Sequence, residues 1–345
     1  MSSRSEHVFT LCGRDSAALD DELRFEAAAR NARMLGRFVF AGGRAYEALR
    51  SSFSKADGGI AWLHGDRAPQ DDLSYMQAFA ISGTPLIPVF AGGREAGCVY
   101  EDEFARYCFL VGVLPARHAT SREAQANEVF ELLDAALKEQ GFCFGDTIRT
   151  WFYLDRMLEW YSAFNTVRTA FFTARDVFDR MVPASTGIGA ANPQGAALSG
   201  SLLAVQPKTG VLRVLSVPSP LQCAATDYRS SFSRAVELTF PAYRSLLISG
   251  TASIAMDGTT AHAGDPSAQV DLTMRVVTAL LDSRGMDWKD VTRGIAYFKN
   301  AQDRPLLEAY LHGRGLPALP LATVCATVCR HDLLFEIEVD AVKLS

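Results

Sequence analysis

The chain has 345 residues, 48% of them hydrophobic, and a formal charge of -5: length for two or three domains and the composition of a folded protein. The acidic balance offers no general attraction to nucleic acid or anionic membrane, so an anionic ligand has to be held by local arginines. No apolar run is long enough to span a bilayer, and the amino-terminal stretch lacks an apolar segment followed by a cleavage site, which predicts a cytoplasmic protein.

Residues 1–100 hold strand-like segments (HVFTL, GRFVFAGG, GIAWLHGD, PLIPVF) and read as a divergent amino-terminal region, open to being a degenerate repeat unit or an extension of the next one. Two copies of one pattern follow, over 101–215 and 216–345. REAQANEVFELLDAALKEQGFCFGDTIRTWFYL, from Arg122, matches PSAQVDLTMRVVTALLDSRGMDWKDVTRGIAYF, from Pro266, at a constant offset of 144 residues. Gln125 falls on Gln269, Gly141 on Gly285, Asp146 on Asp290, Arg149 on Arg293 and Tyr153 on Tyr297.

Each copy opens on a strand, CFLVGVLPA or SLLISGTAS. A long helix follows and stops at Gly141 or Gly285, where a left-handed cap suits glycine. Next come the strand TIRTWFYL or VTRGIAYF and a second helix, over about Leu158–Phe172 or Pro305–Gly313. The copies close on what read as paired strands, PASTGIGA with AALSGSLLAVQP and ATVCATVC with LLFEIEVDAV. This order implies an α+β fold of tandem units, mixed sheets with helices packed on one face.

The seven cysteines are scattered with no CxxC, which fits reduced thiols, and the six histidines lack ligand spacing; neither a metal nor a cofactor is expected. A GxSxG elbow, a Walker loop and a post-strand GxGxxG are absent, which leaves serine hydrolase, NTPase and Rossmann readings without a motif.

The second copy, from LLISGTAS through DVTRGIAYFK to FEIEVDAV, resembles the RidA (YjgF) superfamily, with its chorismate-mutase-like fold. VRTAFF with PASTGIGAANPQGAAL, PLQCAATDY with SSFSRA, SGTASI with HAGD, and VCRHDLLFEIEVDA together resemble the chorismatases. That resemblance implies a cofactor-free enzyme that binds chorismate and releases pyruvate. Superfamily members form trimers with clefts between sheets, so fused copies imply a monomer with its cleft at their junction.

Releasing pyruvate from an enolpyruvyl ether requires a proton on the enol methylene, a task for a carboxylic acid in a poorly solvated cleft. Glu336 stands where the superfamily has its functional glutamate, and the first copy has Ser199 there, implying one active site per chain. By pattern alone Glu336 and Glu338 share a strand face and read equally well as a solvated edge. Cys329 matches the cysteine that chorismatases forming 3-hydroxybenzoate use to steer the ring; on composition alone it is a small buried hydrophobe. Cys325 lies two residue pairs away, about 13 Å by strand rise, and reads as core.

A substrate with two carboxylates calls for arginines, and Arg149, Arg168, Arg234 and Arg314 are the candidates. Each has a structural alternative, such as an Arg149 ion pair with Asp146 that recurs at Arg293. Ser249, Gly250, Thr251 and Ala252 stand where members of the superfamily that the second copy resembles bring backbone close to the ligand, a use that suits glycine, and Ser185, Thr186 and Gly187 hold the parallel place in the first copy. Tyr228 and Gln222 are further candidates for binding substrate or for interdomain packing.

The leading expectation is conversion of chorismate to 3-hydroxybenzoate and pyruvate. Hydrolysis to 3,4-dihydroxycyclohexa-1,5-diene carboxylate and mixed 3- and 4-hydroxybenzoate formation are the near alternatives. A RidA-type deaminase is weakened because neither PASTGIG nor PLATVC carries the arginine those enzymes place there. A non-catalytic metabolite-binding protein is the reading from another class.

Overall fold

The computed structural model describes residues 4–14, 16–42, 46–47, 58–65, 74–118, 120–208, 210–228 and 230–345; the side chains of Ser16, Ala17 and Tyr228 lie outside that description. The amino-terminal region forms β1 (Ser5–Gly13), α1 (Ser16–Ala29), β2 (Arg33–Phe40), β3 (Gly59–Gly65) and β4 (Ser74–Ser82). The first copy contributes β5 (Ile87–Ala91), β6 (Arg94–Glu101), β7 (Ala105–Val113), α2 (Arg122–Glu139), β8 (Thr147–Leu154), α3 (Tyr161–Ala174), β9 (Ala184–Ala191) and β10 (Leu198–Pro207). The second contributes β11 (Arg213–Val217), β12 (Ala235–Thr239), β13 (Tyr243–Ala252), α4 (Pro266–Ser283), β14 (Val291–Phe298), α5 (Pro305–Gly313), β15 (Leu321–Cys325) and β16 (Phe335–Leu344).

Local chemistry sets the long helices. Ser121 and Asp265 accept the amide protons of Ala124 and Ala268 as N-caps, and Pro266 occupies the first turn of α4, where its missing donor costs nothing. At the other end Gly141 (φ 76°) and Gly285 (φ 64°) take the left-handed conformation that stops the helix. The recurring Gln125 and Gln269 have equivalent jobs. Gln125 donates to the His118 and Thr120 carbonyls and accepts from the Ala197 amide, while Gln269 donates to the His262 and Asp332 carbonyls and accepts from the Leu334 amide. Each glutamine thus ties a helix start to the start of the strand that closes its copy.

The sheet order β11-β12-β13-β16-β14-β15 of the second copy is repeated in the first as β5-β6-β7-β10-β8-β9. The hairpin of β5 and β6 bonds to β7, so the sheet of the first copy starts at Ile87, earlier than the repeat suggests. The closing strands of each copy are not paired with each other: β9 and β10 flank β8, parallel and antiparallel, and β15 and β16 flank β14 likewise. The reason is the second helix, which carries the chain from β8 to β9 as a parallel crossover that antiparallel neighbours do not need. Strand β15 ends at Cys325, and only Thr327 pairs beyond it, with Gly189 of the first copy. The second helix of the first copy starts at Tyr161, after a single 3-10 turn over Met157–Glu159.

The order carries the pattern into the amino-terminal region as well. Strands β1-β4-β2-β3 repeat β13-β16-β14-β15, with α1 in the place of α2 and α4. This four-stranded piece joins the first copy through two residue pairs, His64 with Ala191 and Gly65 with Ala190, which makes one ten-stranded sheet.

Each of the three units buries a helix-on-sheet core, and a fourth apolar cluster lies where their sheets converge. Phe40, Tyr153 and Tyr297 meet there: the tyrosine hydroxyls are 3.2 Å apart, and the Phe40 ring centre is 5.8 Å and 6.3 Å from those of the tyrosines. These residues occupy equivalent strand positions, so they mark a pseudo-threefold axis. Burying each such ring stabilises the fold by roughly 1.5–3 kcal/mol.

Candidate functional site

A cleft of about 1130 Å³ opens between the two copies. Its floor is Ser185 and Gly187 of β9, Gly250 and Ala252 of β13, and Glu336 of β16; α3 forms one wall, and the segments around Ser231 and Cys329 form the others. Polar contacts sew this seam together. The Ser185 amide donates to Ser249 Oγ (2.8 Å), the Gly250 amide to Thr186 Oγ1 (3.1 Å), and the hydroxyls of Thr169 and Ser231 are 2.8 Å apart.

Glu336 faces the cleft yet is only 4% exposed. Its carboxyl rests on Gly250, where a Cβ would collide with Oε1, so the close backbone approach requires glycine. Burial first, and then the Glu338 charge, push its pKa up to about 8 against the opposing pull of Arg149 and Arg234. At neutral pH Glu336 is a carboxylic acid with a proton to give.

Glu338, two residues on, is fully buried and is no solvated edge. It accepts from Arg149 Nη2 (2.9 Å), Arg293 Nη1 (2.8 Å) and Trp151 Nε1 (3.0 Å). Burial works against its charge, but Arg293 and Arg149, with hydrogen bonds from Thr186 and Trp151, outweigh it and hold the carboxyl below the ordinary carboxylate range. Arg293 also donates to Gln77 Oε1 (2.6 Å) of the amino-terminal unit, so all three units meet at this carboxylate.

The structure separates the expected arginines. Arg168, buried on α3, lines the cleft and is oriented by Asn165 Oδ1 (2.7 Å). Arg234 lines it too, with Nε and Nη2 donating to the Cys223 carbonyl at 3.0 and 2.9 Å. Arg149 lies behind the floor, stacked 4.7 Å over Trp151 and bonded to Thr186 and Glu338; Asp146, the partner weighed from sequence, instead caps the turn before β8 by accepting from the Cys143 amide. Arg314 is outside the cleft at the exposed end of α5, paired with Asp271 at 3.0 Å.

Cys329 lines the cleft in the turn before β16, partly buried, and its thiol is pushed up to about 12 by burial and by Glu336, so it stays protonated. The Thr251 hydroxyl donates to the Ser249 carbonyl and does not line the cleft. Buried Gln222 donates to the Ala252 and Ile254 carbonyls, a packing role. The side chain of Tyr228 lies outside the described residues.

Sequence reasoning passed over Arg330, His331, Tyr161 and Asn165, all of which line the cleft. The first two follow Cys329 directly in VCRHDLLFE, and Asn165 precedes Arg168 by one helical turn, so the signals were adjacency and helical spacing. Among the described residues no three His, Cys, Asp or Glu side chains converge as metal ligands, and no helix is long and apolar enough to cross a membrane.

No family model matches the chain. It is 26% identical over 276 residues to a 3-hydroxybenzoate synthase of Streptomyces hygroscopicus, covering 71% of this chain and 76% of that one. It is 25% identical over 277 residues to a chorismatase of Streptomyces rapamycinicus, covering 72% and 79%. A crystal structure of a chorismatase superposes with a TM-score of 0.65 over 97% of this chain and 98% of that one, at 18% identity, which makes the fold common to both.

Proposed function

From a chain that resembles chorismatases in sequence and in fold, we propose an enzyme that cleaves chorismate to pyruvate and 3-hydroxybenzoate. The observation that carries this reading is Glu336, a carboxyl protonated up to about pH 8 in a cleft that Arg168, Arg234 and Arg330 also line. The arginines suit the two carboxylates of the substrate, since a guanidinium binds a carboxylate through paired donors.

Glu336 gives its proton to the enol methylene, the ether bond to the ring breaks, and pyruvate leaves with the new methyl group. The C4 hydroxyl oxygen closes on the ring carbon that the ether leaves, the resulting epoxide opens at C4 with its oxygen kept on C3, and loss of the C3 proton makes the ring aromatic and restores the acid. No water is gained or lost. The neutral Cys329 thiol steers the ring toward the aromatic product. Coupling to lactate dehydrogenase measures pyruvate, and chromatography separates the ring products. Pyruvate and 3-hydroxybenzoate in equal amounts are expected. Absence of pyruvate overturns the reading, and a dihydroxycyclohexadiene product overturns the aromatic branch.

A further inference from the structure

Glu336 and Glu338 share one face of β16, and their surroundings differ. Glu336 opens onto the cleft, whereas Glu338 is sealed at the meeting point of the three units with donors on both oxygens. The groups that bear on Glu336 come from several elements. Arg149 approaches from β8, Arg168 from α3, Arg234 from the segment before β12, and Cys329, Arg330 and His331 from the turn; Tyr297 pairs with it on β14. Burial keeps the Cys329 thiol and the Tyr297 hydroxyl neutral. The described groups around Glu336 are therefore cations, neutral donors and one anion, Glu338.

We propose that Glu338 is a positioning residue for the proposed reaction, a permanently ionised carboxylate locked by Arg149 and Arg293 that keeps the transferable proton on Glu336. This rests on the reading of Glu336 as the acid. Of two carboxylates on one buried strand face, the one holding two guanidiniums takes the charge first, and its neighbour keeps the proton to higher pH. Without that anion burial alone would hold the proton against the surrounding guanidiniums, and Glu336 would release it at lower pH. The same lock supports the floor mechanically. Arg149 donates to Thr186 Oγ1, Thr186 accepts the Gly250 amide, and the Glu336 carboxyl lies on Gly250.

The test is the pH profile of kcat/KM for Glu338→Gln. A merely structural Glu338 lowers activity by one factor at every pH and leaves the alkaline limb near 8, which overturns the proposal. A positioning Glu338 moves that limb down by a pH unit or more, so the variant loses at least about fivefold against wild type at pH 8 and almost nothing from this cause at pH 6. If Glu338→Gln fails to fold, Arg293→Gln changes the charge held on Glu338 by a group that does not bear on Glu336 directly; a shifted limb upholds the proposal, and an unmoved limb overturns it. Infrared difference spectra against Glu336→Gln follow the protonated carboxyl band with pH and need no substrate. A band lost near pH 8 in wild type and at lower pH in Glu338→Gln upholds the proposal even where chorismate is not turned over, whereas the same midpoint in both proteins overturns it.

Discussion

Protonated Glu336 gives activity and stability opposite dependences on its charge. As general acid it works only with its proton on, so kcat/KM is expected to fall as pH rises through about 8. Glu336→Gln keeps the shape and removes the proton, and pyruvate release should drop by about a hundredfold to ten-thousandfold. The same raised pKa costs stability. Below the unfolded carboxyl's pKa both states are protonated and nothing is lost; above it the unfolded chain ionises while the folded one holds its proton, so stability falls until the pH passes about 8. Urea unfolding at pH 8 should therefore find Glu336→Gln more stable than wild type by at least about 1.4 kcal/mol, the worth of one pKa unit, with the gap closing toward pH 4. Cys329 is tested by its products. Cys329→Ala should retain ether cleavage and shift the ring product toward a diene or another hydroxybenzoate; an unchanged product with only a small loss of stability, about 1 kcal/mol for the cavity, leaves the thiol as packing.

At the scale of elements, the recurring glutamines are the sharpest test. Gln269 is buried, and its loss strands the His262 and Asp332 carbonyls and the Leu334 amide, so Gln269→Ala should cost about 2–4 kcal/mol in urea unfolding. What the sequence made legible had this local character: Gly141 and Gly285 ending helices, α5 over Pro305–Gly313, and the strands around the repeated tyrosines. Local pattern did not reveal partners distant in the chain. Arg149 binds Glu338, 189 residues away, and Asp146, three residues before it, is taken by its own turn. Arg314 is near the last strands in sequence, but the end of α5 directs it to Asp271 on α4. Strands β9 and β10 looked paired because they are consecutive, and the crossover helix puts β8 between them. The amino-terminal repeat was illegible because its strand order persists while side chains such as the axial tyrosine have become Phe40.

For the whole molecule, the axis is closed within one chain. Gln77, Arg293, Glu338 and Arg149 bring three units to one buried charge cluster, and Phe40, Tyr153 and Tyr297 complete the apolar meeting point beside it. Light scattering on the purified protein should give the mass of one chain, 37.6 kDa, across a wide concentration range; a stable trimer would show that the axis does not replace association between chains.

The strand position that carries Glu336, opposite Tyr297, carries Ser199 opposite Tyr153 and Tyr75 opposite Phe40. In an assembly of three identical subunits, any change at this position appears three times, so an altered residue that harms one cleft harms them all. Three unlike units in a single polypeptide remove that constraint. One position can retain the acid while the other two mutate freely, and asymmetry becomes heritable: a side chain suited to one seam need not suit the other two.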